Sequence, residues 1–204
     1  MNGPIKVFAL ACTMMCLVAC EQKSKSDMTD VSEIKVSEAA SPYGEFSSQV
    51  EWGAHLVTIG DCNICHTPKK MTNRGPVVDS TYLLSGYRPD SPPMDIDRKE
   101  IERKMLTVTQ DLTAWVGPWG VSYAANLTPA ESGIGNWTEE QFFLAFREGK
   151  AKGLPGSRTL LPPMPWEAFG HKTDNEIKAI FAYLKSIEPI ENVVPAPLPP
   201  VGSE

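Results

Sequence analysis

Residues 62–66 read Cys-Asn-Ile-Cys-His, the one place in the chain where two thiols and an imidazole fall together. Covalent haem attachment needs this arrangement, because each thiol adds to one vinyl group of the haem and the adjacent histidine is left against the iron. The pattern therefore predicts one haem c, with its iron, bound through Cys62, Cys65 and His66.

Three other uses of these cysteines compete with haem attachment: a thioredoxin-like redox pair, a zinc half-site and a structural disulfide. The redox pair favours a βαβ context, which the sequence does not contain. A structural zinc site needs more ligands, and His55 and His171 are the histidines that remain outside the motif. Haem attachment is accordingly the favoured interpretation.

A second axial ligand has to reach the iron from the side opposite His66, on a loop stiff enough to hold a weak thioether bond. Met164 suits this role because Pro162, Pro163 and Pro165 surround it. Prolines fix the backbone φ angle, so such a loop needs little further ordering on folding. We therefore predict Met164 as the distal ligand.

Met94 is the main alternative to Met164, because Pro92 and Pro93 precede it in a similar way. Its surroundings are more polar, however, and no strong helix follows. His55 and His171 are the remaining candidates, one within a predicted helix and the other at a helix entrance. Both are more typical of surface histidines than of ligands.

A histidine and a methionine together fill both axial positions, which leaves no open iron site for a substrate. The ligand set thus predicts an electron carrier rather than an enzyme. Two alternatives stay open: a haem sensor or enzyme with a displaceable distal ligand, and a scaffold subunit of a respiratory complex. Trp115 and Trp119 form an aromatic loop that either covers the haem or packs in the core.

Capping boxes predict the two helices that frame the motif. Ser48 begins a helix over 48–59, which ends just before the cysteines, and Thr173 begins the most regular helix, over 173–187. Gly53 offers a small-residue position on the first helix where the second can cross closely.

Further helices are predicted to begin at Thr128, to run over 138–149 and to run over 97–107. No convincing strand ladder is present in the sequence. Tyr82–Leu84 and Val121–Tyr123 are expected at most to pair briefly.

The beginning of the chain resembles an export signal. An apolar run over 7–18 follows Lys6 and is too short to span a bilayer, which takes about 20 residues. It ends at Leu17-Val18-Ala19-Cys20, which resembles the lipobox of bacterial lipoproteins. We therefore predict a signal peptide over 1–19 and acylation of Cys20. An ordinary signal peptide cleaved nearby and an uncleaved anchor are the alternatives.

Composition divides the rest of the chain into three parts. Polar and charged residues over 20–42 predict a flexible, lipid-anchored tether, 43–188 is the folded domain, and the prolines of 189–204 predict an extended tail. With 204 residues the chain is too short for a large multidomain enzyme, and a net charge of −6 argues against a nucleic-acid partner.

The order of these features resembles the class I cytochrome c family: an N-terminal helix, the CxxCH motif, intervening helices, a methionine loop and a C-terminal helix. Several stretches look like the bacterial membrane-associated cytochromes c that accompany dehydrogenases and respiratory complexes. They are Asn126-Leu-Thr-Pro, Gly133-Ile-Gly-Asn-Trp-Thr-Glu-Glu-Gln-Phe, Arg147-Glu-Gly-Lys and Leu161-Pro-Pro-Met-Pro-Trp.

This resemblance implies an all-α fold around one haem. Cys62 and Cys65 are then the thioether positions, His66 the proximal ligand and Met164 the distal ligand. The chain departs from a compact cytochrome c in the insertion over 67–125, which we expect to shield one haem edge or to form a partner surface.

The resemblance also implies partners and a location. Electrons would pass from a membrane or periplasmic dehydrogenase or a respiratory complex to a downstream acceptor, such as another cytochrome or a terminal oxidase. With acylated Cys20, the protein is expected on a bacterial membrane, facing the periplasm or the cell exterior. Glu21 is not the aspartate that resembles an inner-membrane retention signal, which favours the outer membrane where two membranes exist.

Overall fold

Groups of helices and of short antiparallel strands follow one another along the described residues. The computed structural model describes residues 41–92, 94–104 and 106–202. In these ranges the helices are α1 (Gln49–Ile59), α2 (Cys62–His66), α3 (Arg98–Lys104), α4 (Glu139–Glu148), α5 (Trp166–Phe169) and α6 (Asp174–Ser186). The strands are β1 (Lys69–Thr72), β2 (Gly75–Val78), β3 (Thr107–Val108), β4 (Ala114–Gly117) and β5 (Gly120–Tyr123). The predicted signal peptide, Cys20 and most of the predicted tether lie outside the described residues.

The prediction of an all-α fold is wrong, because the described residues combine helices with two antiparallel sheets. One sheet pairs β1 with β2, and the other has the strand order β3-β4-β5. All of these strands lie within the predicted 67–125 insertion. Strands β4 and β5 are almost wholly buried, so they lack the alternation of polar and apolar residues by which a strand is recognised.

Two local predictions also differ from the structure. The predicted brief pairing of Tyr82–Leu84 with Val121–Tyr123 does not form. Val121–Tyr123 lies in β5, which pairs with β4, and Ser80–Tyr82 forms a turn of 3₁₀-helix. The helix predicted to begin at Thr128 is replaced by tight turns. A Cβ on Gly133 would lie 2.4 Å from the Thr128 carbonyl oxygen, so the glycine allows the backbone to fold back on itself.

Helices α1 and α6 cross at a glycine, as predicted. Ser48 caps α1, and Thr173 opens α6 with a complete capping box. At the crossing, a Cβ placed on Gly53 would lie 1.9 Å from the Ala179 carbonyl oxygen. A glycine is therefore needed for the two helix backbones to approach this closely.

The hydrophobic core is built around this crossing. The rings of Phe142 on α4 and Phe181 on α6 have centroids 4.8 Å apart, so α4 belongs to the same core. The buried members are Leu56, Val57, Leu84, Ile134, Phe142, Ile177, Ala179, Ile180 and Leu184. Cys62 packs against this cluster, which places the beginning of α2 at the edge of the core.

The C-terminal residues lie against the domain. Leu198 and Val121 form an antiparallel bridge, with N–O distances of 2.9 and 3.0 Å between their backbones. The Asn192 Nδ2 donates to the carbonyl oxygens of Ser85 and Tyr87 at 2.7 and 2.9 Å. The segment after Pro189 thus covers the free edge of β5 and holds the neighbouring loop.

Asn126 is a buried asparagine that joins this C-terminal segment to the chain after β5. Its Nδ2 donates to the Ile190 carbonyl oxygen at 2.8 Å, and its Oδ1 accepts from the backbone and hydroxyl of Thr128 at 2.9 and 2.7 Å. Asn126→Ala will leave the buried Thr128 N–H without its acceptor and lower the free energy of unfolding by about 2 kcal/mol. Denaturant unfolding measures the loss, and the exposed Asn136→Ala is the control. Equal stability of the two variants would contradict the prediction.

Candidate functional site

Helix α2 carries both cysteines and the histidine of the motif. The chain enters it through Asp61, whose φ of 55° lies in the left-handed region, directly after Gly60 has ended α1. Residues three and four positions apart share one face of a helix, so Cys62, Cys65 and His66 lie side by side. Both cysteines are free thiols.

Burial has a clear effect on the two thiols. Removal from water raises the pKa of Cys62 to about 11, against a smaller opposing effect of Lys172. Burial also raises the pKa of Cys65, while Lys69 opposes the shift. Because thiols of raised pKa stay protonated at neutral pH, neither resembles the thiolate of a thiol–disulfide oxidoreductase, whose pKa is lowered.

The imidazole of His66 is held in one orientation by the backbone. Its Nδ1 lies 2.7 Å from the carbonyl oxygen of Ala125. A carbonyl oxygen only accepts, so Nδ1 carries the proton and Nε2 keeps its lone pair. No hydrogen bond to Nε2 is found within the described ranges. Burial lowers the pKa of His66, partly opposed by the bond to Ala125, so the neutral imidazole is favoured.

Hydrogen bonds also fix the backbone around His66. Its carbonyl oxygen accepts from the Gly86 N–H at 2.8 Å. The next residue, Thr67, is fully buried, and its hydroxyl donates to Asn63 Oδ1 at 2.8 Å while accepting from the Leu84 N–H at 2.9 Å. The end of α2 is therefore tied to the 84–86 segment.

Lys69 connects the C-terminal end of α2 to Asp111, further along the 67–125 insertion. Its ammonium donates to the carbonyl oxygens of Thr67 at 2.9 Å and Asp111 at 2.7 Å, and also to the carbonyl oxygen of Ile64. Burial lowers the pKa of Lys69, and the Asp111 carboxylate opposes this shift. A lysine at a helix C-terminus also compensates the partial negative charge of the last carbonyls.

The loop of Met164 is attached to strand β5. The Ser122 hydroxyl donates to the Pro162 carbonyl oxygen at 2.6 Å. Met164 itself is half-buried, and its carbonyl oxygen accepts from the Trp166 N–H at 3.0 Å, where α5 begins. The Trp166 ring packs on Gly149, where a Cβ would lie 2.4 Å from the ring.

Met94 lies on the other side of β5. It lines a cleft of about 210 Å³ together with Tyr87, Ile96, Arg98, Val121, Tyr123 and Leu198. Neighbouring residues of a strand point to opposite faces, so Val121 and Tyr123 face this cleft while Ser122 faces the Met164 loop. The cleft of Met94 and the loop of Met164 thus contact opposite faces of β5.

The remaining candidate residues lie away from these contacts. His55 and His171 are exposed, and the His55 ring packs against the tilted ring of Phe46 with centroids 4.9 Å apart. Within the described residues, no group of three or more His, Cys, Asp or Glu side chains is placed to hold a metal ion. In the same ranges, no helix has the length and apolar character needed to cross a membrane.

No family model matches the chain. It is 28% identical over 153 residues to the fructose dehydrogenase cytochrome subunit of Gluconobacter japonicus, an alignment covering 74% of this chain and 24% of that protein. It is 37% identical over 75 residues to the cytochrome c subunit of alcohol dehydrogenase (quinone) of Gluconobacter oxydans, over 36% of this chain and 15% of that one. The chain is similar to cytochrome c subunits of dehydrogenases. The predicted resemblance to dehydrogenase-associated cytochromes c is confirmed.

These dehydrogenase cytochrome relatives are much longer than the matched region. A further relative, the gluconate 2-dehydrogenase cytochrome c subunit of Pantoea cypripedii, is 37% identical over 67 residues, which are 32% of this chain and 14% of that protein. The chain thus spans about a quarter or less of the length of the curated relatives it matches.

Several residues that shape the candidate site were not predicted from the sequence. Ala125 contributes only a backbone carbonyl, which no residue type can signal. Thr67 and Ser122 are common residues whose partners lie 17 and 40 positions away in the chain. The position of Thr67 directly after the motif is the one signal that was available.

Proposed function

We propose that the chain is an electron carrier with one haem c, attached covalently through Cys62 and Cys65 and ligated by His66 and Met164. When bound, the haem supplies a one-electron Fe(III)/Fe(II) couple. The observation that carries the proposal is the His66–Ala125 hydrogen bond, because it turns the lone pair of Nε2 outward next to two free thiols.

The chain's own residues suit this role better than thiol redox chemistry. The Cys62 thiol, with a pKa of about 11, is a poor thiolate nucleophile at neutral pH but can be fixed as a thioether. The hydrogen bonds of Thr67 and Lys69 hold the C-terminal end of α2, so the imidazole keeps its position. A rigid ligand suits electron transfer, since little rearrangement should accompany a change of oxidation state.

The cytochrome relatives support a dehydrogenase as the electron donor. Another cytochrome or a terminal oxidase would then be the acceptor. Such contacts are usually small and short-lived, and the net charge of −6 would steer the protein toward basic surfaces in a salt-dependent way. The export signal, the acylated Cys20 and the 20–42 tether would hold the carrier at a bacterial membrane, facing the periplasm or exterior.

An absorbance spectrum recorded during a redox titration tests the distal ligand. The oxidised wild type should show the methionine–iron charge-transfer band, and Met164→Ala should lose it completely because the thioether is gone. Met94→Ala is the matched control, since the same residue type is truncated on the opposite side of β5, and should keep the band. A band that survives Met164→Ala would refute the assignment. A wild type without the band would favour a sensor or enzyme with an open distal position.

A further inference from the structure

Two consecutive hydrogen bonds connect the β4–β5 hairpin to the loop of Met164. The Trp119 Nε1 donates to the Ser122 hydroxyl at 3.1 Å, and this hydroxyl donates to the Pro162 carbonyl oxygen at 2.6 Å. An indole N–H can only donate, and a hydroxyl has one hydrogen. Trp119 therefore occupies an acceptor position of Ser122 and leaves its hydrogen directed at Pro162, two residues before Met164.

The hairpin is shaped to hold Trp119 in this place. Gly117 and Gly120 are paired at the end of the two strands, and a Cβ on Gly117 would lie 2.6 Å from the Trp119 ring. The ring therefore lies directly on the glycine. Ser122 is only 5% exposed, so its hydroxyl is largely removed from water and depends on these two partners.

The same hairpin continues to the residue that orients His66. Ala125 lies three positions after Ser122, and its carbonyl oxygen faces the His66 imidazole at 2.7 Å. Between them, the Ala124 N–H donates to the Thr113 carbonyl oxygen at 2.8 Å, which holds the segment against the residue before β4. One short segment thus contacts both the histidine and the methionine loop.

We propose that Ser122 and Trp119 are positioning residues for Met164. This inference rests on the proposed function, in which Met164 is the distal ligand. The bond between a thioether and haem iron is weak, so the fraction of molecules with Met164 detached depends on how firmly the loop is held. The two hydrogen bonds restrain the loop at Pro162 and lower that fraction. The insertion over 67–125 then serves to fix the axial ligands.

Competition by imidazole for the oxidised holoprotein measures this fraction. Imidazole binds only when Met164 has left the iron, so its apparent affinity rises in proportion to the detached population. Ser122→Ala should raise the affinity about five-fold, the effect of losing one hydrogen bond. Trp119→Phe keeps an aromatic ring but removes the N–H donor, and should change the affinity in the same direction by a smaller factor.

Ser157→Ala is the matched control. It removes a serine hydroxyl that donates to the Ala151 carbonyl oxygen at 2.9 Å, a bond internal to the loop before residue 161. Both serine variants should lose similar amounts of stability in denaturant unfolding, but only Ser122→Ala should bind imidazole more tightly. Equal imidazole affinities of the two serine variants would overturn the inference.

The imidazole affinity of Met164→Ala distinguishes a failure of the positioning role from a failure of the proposed function. If Met164 is the ligand, its alanine variant binds imidazole without competition and far more tightly than the wild type. Unchanged affinity in Met164→Ala would reject the distal ligand and the positioning role together. A large change in Met164→Ala with none in Ser122→Ala would reject the positioning role alone.

Discussion

Gly53→Ala will lower the free energy of unfolding by about 3 kcal/mol, although glycine-to-alanine changes usually stabilise helices by about 1 kcal/mol. The added methyl group would lie 1.9 Å from the Ala179 carbonyl oxygen and 2.8 Å from the Tyr183 Cβ. The first of these is a backbone atom, which cannot turn aside. Helices α1 and α6 must therefore separate, and the core packed around their crossing is weakened.

Denaturant unfolding of the holoprotein measures this change. Thr58→Ala is the control because it brings in alanine at an exposed position of the same helix, where the lost hydroxyl donates only to the Ala54 carbonyl oxygen one turn away. Its stability should differ from that of the wild type by less than about 0.5 kcal/mol. If Gly53→Ala were as stable as Thr58→Ala, the close approach of α1 and α6 would be refuted.

The helices that form this crossing were predictable because their signals are local. Serine or threonine followed three residues later by glutamate marks the beginning of a helix in any fold, and both capping residues lie where expected. Gly53 was also identifiable, since a glycine inside a helix costs stability unless a neighbour requires it. These features depend on residues a few positions apart.

The strands of the insertion were not predictable in this way. Strands β4 and β5 are joined through Gly117 and Gly120 and are covered on one edge by Leu198, about 80 residues further along the chain. Their burial depends on that distant contact, and a strand buried on both faces has no alternating pattern. The expectation of an all-α fold failed for this reason.

The candidate site likewise combines features that are visible in the local sequence with contacts that only the fold creates. The spacing of the motif is visible in the sequence, and so is the proline-rich setting of Met164. The contacts that orient these residues are formed by backbone atoms, such as the carbonyl oxygen of Ala125 and the N–H of Gly86. Gly86 has a φ of +78°, and a Cβ there would lie 2.4 Å from the Ala124 carbonyl oxygen, so this approach also depends on the fold.

The two thiols of α2 differ in their surroundings, and this bears on haem attachment. Cys62 is more strongly buried than Cys65 and packs against the core, whereas Cys65 lies beside the Lys69 ammonium. Each thiol is free to form its own thioether. Covalent attachment should therefore survive the loss of one thiol, because the other still links the haem to α2.

Replacing both cysteines, Cys62→Ala with Cys65→Ala, should abolish covalent haem attachment completely. The mass of the denatured wild-type protein should include one haem, and each single variant should retain haem through its one remaining thioether. Ile64→Ala is the control, because Ile64 is exposed between the cysteines and its truncation leaves both thiols in place. Denaturation removes any haem held only by His66, so the mass reports the thioether bonds alone. Haem retained by the denatured double variant would show that other residues hold it, and the assignment of Cys62 and Cys65 would have to be abandoned.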